Sequence, residues 1–173
     1  MSMPYNLANV RGPLEATVMT PKTVVNLIKR AKRPMLIVGS NALKSIGDKA
    51  PIDYAIELAK KTGVSVVAAA HTVKGFIERD FEPSGIMGVA DITNRIIDPD
   101  WKGLDGNGGY DVVFYLGGPY YFQTQILSSI KHGAPSIKAV SLDRFYDPNA
   151  TFSFGNLTVD EWKTALDEIL KLL

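Results

Sequence analysis

The chain has 173 residues, and its 19 basic and 18 acidic side chains leave a net charge of +1. This length predicts one globular domain, and the balanced charge excludes the basic surface that is typical of nucleic-acid-binding proteins. The sequence contains no cysteine and only two histidines, His71 and His132. The chain therefore cannot supply thiolates to an iron–sulfur cluster, and a multi-histidine metal centre is not expected.

The sequence gives no sign of export or of membrane contact. No apolar run approaches the roughly 20 residues that a membrane-spanning helix needs. Residues 1–7 lack the charged and apolar regions of a signal peptide. We therefore expect a cytoplasmic protein with no membrane and no nucleic-acid partner. Residues 1–19, which include Pro4 and Pro13, show no periodicity and are predicted to form an extended N-terminal arm of a single domain, residues 1–173.

Helix and strand signals alternate after this arm. Thr20-Pro21 is typical of a helix start, and Thr158 and Glu161 have the spacing of a capping box. Helices are predicted from Pro21 and from Pro51, over 91–97 and 120–131, and after Thr158. Short apolar runs predict four buried strands, at 35–38, 64–67, 111–116 and 137–142.

This alternation predicts an α/β fold, a three-layer, doubly wound, mainly parallel sheet of the Rossmann type. In such sheets, ligands bind beyond the carboxyl ends of the strands, where the strand order switches. The candidate site loops are therefore the segments that follow the predicted strands, residues 39–43, 70–76, 117–121 and 143–148.

The two earlier loops each allow a binding and a structural interpretation. Gly39-Ser40-Asn41 could present backbone and polar side chains to a phosphate, but an ordinary strand-to-helix turn has the same composition. His71, Thr72, Lys74 and Gly75 place an imidazole, a hydroxyl and an ammonium after a buried strand. Equally, His71 could cap that strand while Lys74 faces solvent.

The two later loops are open in the same way. Gly117-Gly118 permits close backbone approach, and Tyr120 and Tyr121 could stack on a heterocycle, although a subunit interface or core role is favoured. Asp143 could accept a ribose hydroxyl or serve as a turn residue. The candidate cofactor-binding residues are Gly39, Ser40, Asn41, His71, Thr72, Lys74, Gly75, Gly117, Gly118 and Asp143.

No catalytic arrangement is visible beside these loops. The sequence lacks a cysteine nucleophile, a G-x-S-x-G elbow and an H-E-x-x-H motif. We therefore predict neither catalytic nor metal-binding residues.

Residues 31–88 carry one family-like pattern. The matching segments are 31–39, 58–67, Thr72-x-Lys74-Gly75 and Gly85-x-x-Gly88, and they resemble the central domain of thiamine-diphosphate enzymes. The resemblance implies a DHS-like NAD/FAD-binding fold, with FAD in some members. The thiamine-binding domains of that family have no counterpart here, so a lyase fragment is disfavoured.

A more specific pattern covers essentially the full length. Segments 32–39, 71–75, 111–118 and 141–150 resemble the ε subunit family of the archaeal acetyl-CoA decarbonylase/synthase (CO dehydrogenase/acetyl-CoA synthase) complex. This resemblance implies a non-catalytic subunit bound to a nickel–iron–sulfur α subunit, as the α2ε2 CO dehydrogenase component of a larger assembly. There it would stabilise the α subunit or assist electron transfer to FAD.

Two questions about partners stay open at the level of sequence. The aromatic segments 120–122 and 145–146 are candidate interface anchors, and they could serve the α subunit or a homodimer. The alternative function is an independent redox protein that binds a flavin or nicotinamide nucleotide. The absence of a G-x-G-x-x-G fingerprint argues against this alternative.

Overall fold

The structure, a computed structural model, describes residues 15–173. This part of the chain forms seven strands and six α-helices. The strands are β1 (Thr17–Val18), β2 (Pro34–Val38), β3 (Ser65–Ala68), β4 (Gly85–Ile86), β5 (Val112–Leu116), β6 (Lys138–Ser141) and β7 (Phe152–Ser153). The helices are α1 (Pro21–Arg30), α2 (Pro51–Thr62), α3 (Val73–Ile77), α4 (Val89–Ile97), α5 (Tyr120–Gly133) and α6 (Val159–Leu172).

The strands make one sheet in the order β1-β7-β6-β5-β2-β3-β4, and every pairing is parallel. From β2 at the centre of the sheet, the chain proceeds outward to β3 and β4. It then crosses back to form β5 on the other side of β2. The order therefore switches between β2 and β5, where Ile37 pairs with Tyr115. The predicted doubly wound α/β fold is confirmed, and the sheet is wholly parallel.

Helices cover both faces of the sheet, as the alternation of side chains along β2 shows. Leu36 and Val38 belong to the core under α1, α2 and α6, whereas Met35 and Ile37 belong to the core under α4 and α5. All four side chains are buried, as expected for a central parallel strand. The result is three layers with the sheet in the middle.

Local sequence signals mark the predicted starts of α1, α2 and α6, whereas α4 begins two residues before, and α5 ends two residues after, the predicted bounds. At the start of α1, the Thr20 hydroxyl accepts a hydrogen bond from the Thr23 N–H at 3.4 Å. At the start of α2, the Asp53 carboxylate accepts one from the Ala50 N–H at 2.7 Å. Gly63 ends α2 in the left-handed conformation, with φ +69°.

Two predictions about elements were wrong. The sheet has seven strands instead of four, because β1, β4 and β7 are two-residue strands without a readable period. Segment 70–76 is not a loop, since a 3-10 turn over Ala70–Thr72 leads directly into α3.

The predicted N-terminal arm falls only partly within the structure. Residues 1–14 lie outside the described part, while β1 lies inside it. No helix between residues 15 and 173 is long and apolar enough to cross a membrane.

Candidate functional site

The loops after β2 and β5 meet at the point where the strand order switches. The Gly39 N–H donates to the Leu116 carbonyl and the Asn41 N–H to the Gly117 carbonyl, each at 2.8 Å. The Asn41 side-chain amide donates to the Gly118 carbonyl at 3.2 Å. These bonds clamp two segments that are far apart in sequence into one rigid loop pair.

The glycines of this pair are required by loop–loop packing. Gly117 has φ +78°, a conformation that favours glycine, and a Cβ there would collide with the backbone of Ala42. A Cβ on Gly39 would lie 2.6 Å from the Gly117 carbonyl oxygen. The predicted close backbone approach therefore occurs, but it occurs between the two loops.

Asp143, just after β6, is hydrogen-bonded to the loop that follows β5. Its Oδ1 accepts a hydrogen bond from the Gly117 N–H at 2.8 Å. Its Oδ2 is buried and has no hydrogen-bond partner among the described residues. Burial raises the pKa of this carboxyl to about 6, although the Gly117 N–H, the Gln123 amide and the Gly118 N–H oppose the rise. The site thus holds a poorly solvated carboxyl with unused acceptor capacity.

A cavity of about 350 Å³ opens above Asp143 on the α2 and α6 side of the loop pair. Trp162, Tyr120 and Phe145 supply aromatic walls, and the Tyr120 and Phe145 rings meet edge to face with centroids 6.3 Å apart. The residues that line this first cavity are Asn41, Lys44, Ile46, Pro51, Gly117, Gly118, Tyr120, Gln123, Asp143, Arg144, Phe145, Val159 and Trp162.

Two cationic side chains belong to the first cavity. Lys44 is exposed, and neither it nor Arg144 has a carboxylate within salt-bridge distance in the described part of the chain. The Arg144 guanidinium lies 3.9 Å from the centroid of the Phe145 ring, and its Nη1 donates to the Leu157 carbonyl at 3.2 Å. Arg144 is therefore positioned by its neighbours, whereas Lys44 is exposed at the rim of the cavity.

A second cavity, of about 290 Å³, lies on the α4 and α5 side of the same loops. It shares Gly118 and Gln123 with the first cavity, so these residues form the wall between the two. The residues that line it are Ile37, Gly39, Ser40, Ala69, Ala70, His71, Gly88, Val89, Tyr115, Leu116, Gly118, Pro119, Phe122 and Gln123. Most of these side chains are apolar.

The structure divides the sequence-predicted site residues into three groups. Asn41, Gly117, Gly118 and Asp143 line the first cavity, and Gly39, Ser40, His71 and again Gly118 line the second. Thr72, Lys74 and Gly75 line neither cavity. Seven of the ten predicted residues therefore lie at one edge of the sheet, around two adjoining cavities, as expected for residues that follow parallel strands.

The three remaining residues have structural environments. Thr72 is buried, and its hydroxyl donates to the Ala69 carbonyl at 2.7 Å. Gly75 packs against Leu43, where a Cβ would collide. The Lys74 side chain is 87% exposed and lies 3.6 Å from the Glu78 carboxylate. Ligand contact at these three positions stays a prediction without a cavity to support it.

Several cavity residues were not predicted as binding residues. Gln123 is buried inside α5, where its amide donates to the Ser141 hydroxyl at 3.1 Å. Trp162 on α6 donates from its indole to the Leu142 carbonyl at 2.8 Å. Both lie on helices whose apolar spacing indicates core packing, so only their hydrogen-bonding groups could have drawn attention to them.

No group of three or more histidine, aspartate or glutamate side chains in residues 15–173 is arranged to hold a metal ion. The chain also has no cysteine. In the part of the chain that the structure describes, the candidate site therefore consists of hydrogen-bonding groups, aromatic walls and cationic side chains.

Comparison with known proteins gives one consistent family. The model of the family described as "CO dehydrogenase beta subunit/acetyl-CoA synthase epsilon subunit" matches residues 1–170. The acetyl-CoA decarbonylase/synthase complex subunit epsilon of Methanothrix soehngenii is 41% identical, over 97% of this chain and 89% of that protein. Subunit epsilon 1 of Archaeoglobus fulgidus is 40% identical, over 96% and 89%. Subunit epsilon of Methanothermobacter thermautotrophicus is 34% identical, over 96% and 94%.

Proposed function

The chain belongs to the CO dehydrogenase beta subunit/acetyl-CoA synthase epsilon subunit family, and from this membership we propose that it is a non-catalytic subunit of an acetyl-CoA decarbonylase/synthase complex. In this role it docks on the nickel–iron–sulfur α subunit of the CO dehydrogenase component, in an α2ε2 arrangement. It stabilises that subunit, assists electron transfer to FAD, or does both.

One observation carries this proposal. The likeness extends over 97% of the chain and 89% of the Methanothrix soehngenii protein, so it concerns the whole subunit and is not confined to a common α/β domain. The composition agrees with the proposed division of labour. A chain with no cysteine and two histidines lacks the ligands of a nickel–iron–sulfur centre, which agrees with a centre held by another subunit.

The flavin part of the proposal is supported by the edge of the sheet. Two adjoining cavities of about 350 and 290 Å³ lie at the switch point of a doubly wound sheet, where nucleotides bind in this class of fold. The unpartnered oxygen of Asp143 suits a hydroxyl donor such as those of FAD. FAD, when bound, would supply two-electron acceptor chemistry, and this chain would orient it.

The docking proposal is tested by mixing the full chain with the purified α subunit. We expect co-elution in size-exclusion chromatography with a mass, measured by light scattering, that fits two copies of each chain. Two separate peaks at micromolar concentrations of both proteins would contradict it.

The alternative, an independent nucleotide-binding redox protein, is favoured by the same pair of cavities. It predicts that the isolated chain binds FAD or NAD with measurable heat in calorimetry and without the α subunit. Docking without cofactor binding supports the subunit role alone, and cofactor binding without docking supports the alternative.

A further inference from the structure

The first cavity and the second differ in the polar groups that line them. Both have mainly apolar walls, and the Tyr115 hydroxyl beside the second is already engaged with the Thr93 hydroxyl at 2.9 Å. The first carries a buried carboxyl oxygen without a donor, together with two cations. A polar ligand therefore has more to gain in the first cavity than in the second.

The carboxyl of Asp143 restricts what such a ligand can be. Buried acceptors normally have a hydrogen-bond partner, and an isolated one is destabilising. Oδ1 accepts a hydrogen bond from the Gly117 N–H, whereas Oδ2 accepts none of normal length and angle from the described residues. The Gln123 amide and the Gly118 N–H nevertheless lie near the carboxyl and favour its charged form. A group that donates a hydrogen bond, such as a hydroxyl, would remove that destabilisation.

The cations define the other end of the ligand. Lys44 and Arg144 line the cavity that contains Asp143, and neither has a carboxylate partner among residues 15–173. Arg144 is preorganised by its contact with Phe145 and by its hydrogen bond to the Leu157 carbonyl. Guanidinium and ammonium groups arranged in this way are typical ligands of a phosphate.

Contacts within the loop pair define the floor of the first cavity. The Gly39–Gly117 contact, the clamp of Asn41 and the bond from Gly117 to Asp143 hold the floor rigidly. A volume of about 350 Å³ falls within the range of roughly 300–1,000 Å³ that is usual for small-molecule sites.

From these observations we infer that the first cavity is a binding site for a hydroxyl-bearing organic phosphate, whose hydroxyl donates to Asp143 and whose phosphate is held by Lys44 and Arg144. Tyr120 and Phe145, which are 48% and 44% exposed, offer ring faces to a planar group. The inference deepens the flavin part of the proposed function, since FAD is one member of this class. It does not depend on docking to another subunit.

The test is calorimetric titration of the full chain with ADP, FMN, ribose 5-phosphate and inorganic phosphate. We expect at least one of the three organic phosphates to bind at least tenfold more tightly than inorganic phosphate. Preference for ADP or FMN over ribose 5-phosphate identifies a nucleotide source, and equal affinity identifies a sugar phosphate. The inference is overturned if no organic phosphate binds at millimolar concentration, or if inorganic phosphate binds equally well.

Two variants locate the site. Asp143→Asn retains the oxygen that faces Gly117 and converts the other position into a donor, so we expect affinity to fall at least tenfold. Lys44→Glu alters an exposed residue and should also lower affinity at least tenfold, which keeps the test decisive if Asp143→Asn fails to fold.

The matched controls are Asp147→Asn and Lys171→Glu. Asp147 is a second buried carboxyl with an unpartnered oxygen, but it does not line the first cavity. Lys171 is exposed at the end of α6. Both controls should bind within twofold of the wild type. An equal loss of affinity in the controls, or an unchanged affinity in both Asp143→Asn and Lys44→Glu, would remove the site from this cavity.

Discussion

Asp143 joins three parts of the sheet edge, because it follows β6, accepts a hydrogen bond from the loop after β5, and contributes to the floor of the first cavity. Its place beyond a predicted strand could be read from the sequence. Its unpartnered oxygen could not, since that depends on which donors from other segments come near. At this scale, a position is predictable from local pattern, whereas the state of the group is set by tertiary packing.

The raised pKa of Asp143 predicts a pH-dependent stability. In the folded chain the pKa is about 6, above the ordinary value of 3.8, so between these values the folded state binds more protons than the unfolded state. Stability from this group therefore increases as pH falls from 7 through 6 towards 4 and is lost as pH rises. Linkage gives about 2 kcal/mol between pH 7 and pH 4.5.

Urea unfolding of the wild type and of Asp143→Asn at both pH values measures this effect. The buried Asp147, whose pKa burial also raises, is present in both proteins, and its charge is one of the causes that raise the pKa of Asp143. We expect the stability of the wild type relative to the variant to increase by about 2 kcal/mol at pH 4.5. A difference that is the same at both pH values would show that Asp143 does not titrate in this range.

Gly117 gives a second prediction at the scale of one residue. Gly117→Ala combines an unfavourable φ of +78° with a collision against Ala42, and we expect it to lower the free energy of unfolding by about 3 kcal/mol. Gly109→Ala is the control, because a Cβ there meets no atom within 4 Å and the φ is not positive. Denaturant unfolding that shows equal stability for the two variants would contradict the packing role of Gly117.

At the scale of elements, the helices could be predicted better than the sheet. Pro51 and Gly63 mark α2, and Thr158 with Glu161 marks the start of α6, because capping uses residues only three or four positions apart. By contrast, β4 and β7 are two residues long and exist because β3 and β6 lie beside them. Pairing of this kind is decided by distant segments and leaves no period in the sequence.

The capping box of α6 can be tested directly. The Thr158 N–H donates to the Glu161 carboxylate at 2.8 Å, and the Glu161 N–H donates to the Thr158 hydroxyl at 3.3 Å. Thr158→Ala removes one of these bonds, and we expect a loss of about 1 kcal/mol in the free energy of unfolding. Thr164→Ala, at an exposed position inside the same helix, should change stability by less than about 0.5 kcal/mol. Similar losses from both variants would indicate a general helix effect in place of capping.

At the scale of the whole molecule, the edge that holds the two cavities also carries exposed aromatic surface. Tyr121 is 72% exposed. Tyr120 and Phe145 are 48% and 44% exposed, and both also line the first cavity. The sequence identified these aromatic segments as interface candidates, and the structure places them where α5 begins and where β6 ends. A partner that docks there would also cover the mouth of the first cavity.

This arrangement predicts that Tyr121 contributes to assembly with the α subunit. Exposed tyrosines at the centre of interfaces often contribute about 2 kcal/mol or more, so Tyr121→Ser should weaken the complex by at least tenfold in a titration of the labelled chain with the α subunit. Leu172→Ser is the control, because Leu172 is also exposed, at 42%, but lies at the end of α6 on the opposite edge of the sheet. If Leu172→Ser weakens assembly and Tyr121→Ser does not, the docking surface lies at the other end of the sheet, beside the amino ends of the strands. Since Tyr121 does not line the first cavity, Tyr121→Ser should leave phosphate-ligand affinity unchanged, which separates loss of docking from loss of the ligand site.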